Sequence, residues 1–200
     1  MIACGAIFMA WLPRVAPATI AEQRARLPPP AECDDPVAGV WRSHQYDTTY
    51  RDWTIFTLTI QRVEGSDTQL SGLIHNHSWD AGPEQEEPGP CRPGLSEWEV
   101  SMDGHGTFDE DGQIFFGGQG AWRLDRIICN FGPGGYNLDN FSGRIDFDLQ
   151  EFQSVNNDGG RAVNHPTVFR RVSCFQSPPA PHAIEEPPPF YPDMSRGCGC

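Results

Sequence analysis

The 200-residue chain carries 27 acidic and 14 basic residues, a net charge of −13, and every basic residue is an arginine. An acidic surface with no basic stripe argues against nucleic acid and against anionic lipid as partners. A chain without lysine also has no Schiff-base nucleophile and no lysine general base.

At the N-terminus, Ile2 to Leu12 (IACGAIFMAWL) form an apolar run of signal-peptide length, too short to span a bilayer. Ala16-Pro17-Ala18 and Thr19-Ile20-Ala21 each offer small residues for cleavage, and Cys4 would leave with the leader. The positive flank usual in front of such a run is missing, the first arginine being Arg14, so a short helix packed on the domain is the alternative. Residues 1–32, with Pro28-Pro29-Pro30 near their end, read as signal peptide and linker. Residues 33–176 read as one folded domain, a length that suits a single core. Residues 177–200 form a Pro-rich, acidic tail that cannot bury a core and is expected to be extended.

Within 33–176 there is no convincing amphipathic helix, but period-two alternation recurs. Gly39–Tyr46 is the first such stretch. Trp53–Val63 follows, setting Phe56, Leu58 and Ile60 against Thr57, Thr59 and Gln61. Leu70–Trp79, Leu95–Met102, Gln113–Gly118 and Ala121–Cys129 continue the series. Phe141–Leu149 is the clearest, with Phe141, Gly143, Ile145, Phe147 and Leu149 on one face, and Val163–Cys174 closes it. Turn signals separate them at Glu64–Asp67, Asp103-Gly104, Asp111-Gly112 and Asp158–Gly160. The fold expected is all-β: about eight strands in an antiparallel meander, a barrel in preference to a sandwich.

Removal of the leader leaves six cysteines, an even number that reads as disulfides in an exported chain. Cys33 precedes the first strand and Cys174 ends the last, and closing the sheet makes those points neighbours. That pairs Cys33 with Cys174 and leaves Cys91 with Cys129, pinning the acidic, Pro-rich loop 82–93. Cys198 and Cys200 remain for lipid or surface anchoring, a disulfide, or a metal clip.

Several constellations bear on chemistry. His75 and His77 project from one face of a strand, as a metal-binding H-x-H pair would, but need a third ligand. Outward polar histidines are the plainer reading. Asp103–Gly106 with Asp109–Gly112 is acidic but lacks the EF-hand spacing. Gly117–Gly120 has no helix behind it, so it joins strands and does not cradle phosphate. No nucleophile elbow is present, and Asp146 and Asp148 share a strand face with Arg144, which reads as a surface charge ladder. Trp53, Trp79, Trp98 and Trp122 lie on or beside predicted strands; they fill the core, line a cavity or form a platform for sugar rings.

Gly39-Val40-Trp41 resembles the G-x-W that opens the first strand of lipocalins and avidins. The resemblance implies a calycin-type barrel in which Trp41 is covered by an arginine after the last strand, Arg170 or Arg171. A T-D-Y-like turn, the second lipocalin signature, is absent. At the other end, Arg196-Gly197-Cys198-Gly199-Cys200 resembles the start of the sorting tail of myxobacterial surface proteins, without the apolar span and arginines that follow it there.

The expectation is therefore a secreted or cell-surface binding domain, with a small apolar molecule or a glycan as partner. It would have no nucleic-acid partner and no transmembrane helix in the mature chain. A metal-dependent enzyme using His75 and His77, or a structural surface module, is the alternative. No cofactor is indicated.

Overall fold

The computed structural model describes residues 20–161 and 163–175. The expected leader, Cys4, the Pro-rich tail, Cys198 and Cys200 lie outside them. The described residues form a helix, α1 (Ile20–Arg26), and nine strands: β1 (Gly39–Arg42), β2 (Gln45–Asp47), β3 (Asp52–Arg62), β4 (Gln69–Asp80), β5 (Glu97–Phe108), β6 (Gln113–Cys129), β7 (Asn140–Asp146), β8 (Glu151–Asn157) and β9 (Val163–Ser173).

Every neighbouring pair is antiparallel. Strands β3 to β9 run as a meander, and β1 closes the sheet by pairing with both β9 and β3. The result is a closed eight-stranded barrel, consistent with a calycin-like fold. β2 is the ninth strand; it pairs with residues 52–54 of β3, while β1 pairs with residues 57–60 of the same strand. β1 and β2 are thus two halves of one interrupted edge.

The strand count matches the expectation through offsetting differences. The glycines of Gly117–Gly120 lie inside β6, which is one strand and not two. There Met102 faces extra residues of β6 between the pairs Ser101–Arg123 and Asp103–Gln119, and Gly120 takes φ +77°, the left-handed geometry of a bulge. Asp103-Gly104 is no turn; β5 passes straight through it. Gly104 is required there by packing, because a Cβ would lie 2.5 Å from the ring of Phe116. β8, which sequence alternation did not reveal, occupies 151–157. β7 ends at Asp146, whose carboxylate caps the backbone N–H groups of Asp148 and Leu149, so Phe147 and Leu149 turn out to solvent.

The core fills one half of the barrel: Leu58, Ile60, Leu70, Ile74, Met102, Phe116, Phe141, Phe152 and Phe169 are all at most 2% exposed. Burial of side chains of this size contributes about 1.5–3 kcal/mol each. At that end Trp41 is fully buried, its Nε1 donating to Val37 O, and the Arg171 guanidinium lies 5.2 Å from its ring centroid. Arg170 does not take that place. Alternation on β9 turns it outward, where it pairs with Glu151 at 2.5 Å.

The disulfides Cys33–Cys174 and Cys91–Cys129 are both formed, with Cα–Cα distances of 5.5 and 5.4 Å. The packed unit reaches back past Cys33: Gln23 of α1 bridges Pro166 O and Val168 N on β9, and Arg24 pairs with Glu151. No helix among the described residues is long and apolar enough to cross a membrane.

Candidate binding site

Toward the opposite end the inward-facing residues change character on four strands at once. On β3 the series runs Leu58, Phe56, Thr54; on β4 it runs Ile74, Asn76, Ser78, paired across the ladder with those three. On β8 it runs Phe152, Ser154, Asn156, and on β9 Phe169, Thr167, His165, again in register. Period two sends each series into the barrel, so the polar residues converge above an apolar floor.

Of these, Thr54, Phe56, Asn76, Ser78, Asn156 and His165 line a cavity of about 250 Å³. Phe56 and Trp98 supply aromatic surface. Tyr136 and Asp139 enter from the 130–139 segment, Asp47 from β2, and Asp158 and Arg161 from the β8–β9 connection. A hydrogen-bonded chain crosses the wall. Thr54 Oγ1 meets Ser78 Oγ at 3.1 Å, and Ser78 donates to Asn76 Oδ1 at 2.7 Å. Asn76 Nδ2 donates to the Tyr136 hydroxyl at 2.7 Å, and that hydroxyl donates to Asp139 Oδ2 at 2.6 Å. Asn156 Nδ2 donates to Asp139 Oδ1 at 2.8 Å.

Asp139 is 2% exposed. Burial pushes its carboxyl up to about 7, against the hydrogen bonds from Tyr136 and Asn156 and with the help of the Asp158 charge. Burial beside Asp139 likewise holds the Tyr136 hydroxyl protonated, well above the usual phenol range. Arg161 gives its charge elsewhere: Nη2 lies 2.6 Å from both oxygens of Asp52, and the guanidinium sits 3.6 Å from the centroid of Tyr50.

Of the four tryptophans expected at a ligand, only Trp98 lines this cavity. Trp122 packs against Tyr136, with ring centroids 6.0 Å apart. Trp53 and Trp79 fall in the opposite phase of β3 and β4, on the outside of the barrel. They stack at 6.2 Å beneath a cover of Arg26, His44 and the 81–96 loop. Trp53 Nε1 donates to Gly82 O, and His44 Nε2 meets Glu86 O. These two indoles fill a second small core with Tyr46 and Ile55.

His75 and His77 share that outer face. His77 Nε2 lies 3.0 Å from Glu97, and His75 lies 4.0 Å from Glu99, with burial lowering the His75 imidazole below its ordinary value. Among the described residues no group of three or more metal-ligating side chains is placed to hold an ion.

Sequence reasoning passed over Asn76, Tyr136, Asp139, Asn156, Arg161 and His165. One signal was present: Asn76 and Ser78 continue the inward phase of Ile74, where an apolar residue belongs if nothing polar is to be met. The segment carrying Tyr136 and Asp139 has no periodicity from which its direction follows. Compared with protein-family models, curated proteins and solved structures, the chain matches none.

Proposed function

We propose that this is an extracytoplasmic binding domain that holds a small polar organic molecule in the open end of its barrel. The observation that carries the reading is the cavity of about 250 Å³ whose lining combines Trp98 and Phe56 with at least six polar side chains from β3, β4, β8 and the 130–139 segment. Small-molecule sites are concave cavities of about 300–1,000 Å³ in which a few converging polar groups fix the ligand against apolar and aromatic surface, and one of about 250 Å³ suits a small ligand. The mixed lining moves the ligand away from the purely apolar molecule expected of a lipocalin-like calyx. Two long-range disulfides support a setting outside the cytoplasm.

Native mass spectrometry of protein purified from its own host tests this. A co-purified molecule of a few hundred daltons, lost on Asn76→Ala or Trp98→Ala, is the expected result. A bare mass, with no compound from a metabolite extract shifting it, counts against binding. Zinc on the wild type that disappears in His75→Ala would favour the metalloenzyme alternative instead.

A further inference from the structure

We infer that the ligand is a small organic cation, its ammonium group bound at Asp139 and its carbon body against Trp98 and Phe56. The inference rests on the cavity being a binding site, and it follows from how charge is distributed around that cavity.

Asp139 is a buried carboxyl on the cavity wall whose two hydrogen-bond donors, the Tyr136 hydroxyl and the Asn156 amide, are both neutral. Each oxygen accepts one hydrogen bond and keeps capacity for another. A buried carboxyl with no cation beside it avoids the cost of burying charge by keeping its proton, and a bound cation is what lets it ionise. The charged groups facing it do not supply one. Asp47 and Asp158 repeat its sign, Arg161 is held by both oxygens of Asp52 with an oxygen of Asp47 3.7 Å away, and His165 and the protonated Tyr136 are the remaining titratable groups of the lining. With Asp52 and Asp47 both set against Arg161, the cavity favours positive charge. Aromatic walls favour an ammonium over a neutral group as well. A neutral polyol would satisfy the amides but bring no positive charge to Asp139.

The test is a charge series of matched shape on the full chain at about pH 8, where a carboxyl titrating at about 7 is ionised. The probes are 2-phenylethylamine, 2-phenylethanol, 3-phenylpropionate and methyl glucoside, followed by calorimetry and by quenching of Trp98. The amine is expected to bind on the order of 10- to 100-fold tighter than the alcohol, and the acid not at all. Asp139→Asn is expected to erase that preference. If the alcohol or the glucoside binds as tightly as the amine, with quenching lost in Trp98→Phe, the cation is wrong and the binding site stands. If none of the four binds at millimolar concentration, both fall. The wild-type series decides the matter even if Asp139→Asn does not fold.

Discussion

Arg171 on β9 and Trp41 on β1 are direct register partners across the strand pair that closes the barrel, and the guanidinium lies over the indole. Arg171 is 1% exposed and donates to Asp35 O, Ala38 O and the Gln150 side chain. It therefore ties β9, β1 and the segment before β1 together at the one seam that no hairpin connects. Arg171→Ala leaves those acceptors unmatched under a buried indole. The expected loss is about 3 kcal/mol in urea unfolding. An unchanged midpoint would remove the arginine from any account of closure.

Glu151 lies fully buried between Arg24 and Arg170. Burial pulls its carboxyl up, but the two guanidinium groups outweigh this and hold it below the ordinary value. With the folded pKa depressed, the stabilisation is complete above the unfolded value near about 4.3 and is lost as pH falls through the folded value. Glu151→Gln should destabilise the protein at neutral pH by about 2–4 kcal/mol. Its urea midpoint should also fall less than that of the wild type between about pH 5 and pH 2.

Asp139 has the opposite sign. Its folded carboxyl titrates at about 7, above the unfolded value, so the unfolded chain loses the proton first as pH rises. Stability falls across the window from about 4 to about 7, by at most about 1.4 kcal/mol per pH unit from this group. In the unliganded protein, Asp139→Asn should remove that slope and be relatively more stable at pH 8 than at pH 4. A difference between variant and wild type that is flat with pH would show that the carboxyl is not shifted.

The two disulfides differ in the chain they close, 141 residues for Cys33–Cys174 and 38 for Cys91–Cys129. Chain entropy alone assigns about 5 and about 4 kcal/mol to them. Replacing Cys33 and Cys174 by serine should therefore lower the melting temperature more than replacing Cys91 and Cys129. The reverse order would mean that the second bridge acts on the folded state, through the loop that covers Trp79.

Ligand titration should quench Trp98, which lines the cavity, and leave Trp53 and Trp79 unaffected on the outer face. Single Trp→Phe variants check this by fluorescence. Quenching that survives Trp98→Phe but vanishes in Trp53→Phe would move the site to the outside of the barrel.

Much of the architecture is written in local pattern. Alternation in 53–63 and 70–79 marks strands because a half-buried strand must alternate, whatever it packs against. Cys33 and Cys174 flank the strand series, so any closed sheet brings them together. β8 escaped notice because its inward series, Phe152, Ser154, Asn156, turns polar just where it enters the cavity. Gly117–Gly120 read as a connection because a glycine run breaks alternation equally well as a turn or as a bulge.

The sequence by itself determined an all-β domain, most of its strands and its acidic character, since these follow from residue type and period-two geometry, and the cysteine pairing followed once the sheet was taken as closed. Only the tertiary structure decided which phase faced inward at each strand, and that choice sent Trp53, Trp79, His75 and His77 outside while bringing Asn76, Asn156 and His165 together. The physical reason is closure. A site assembled from β2, β3, β4, β5, β8, β9 and an aperiodic segment depends on contacts between residues as far apart as Asn76 and Tyr136, or Asp139 and Asn156, and no local pattern encodes such a contact.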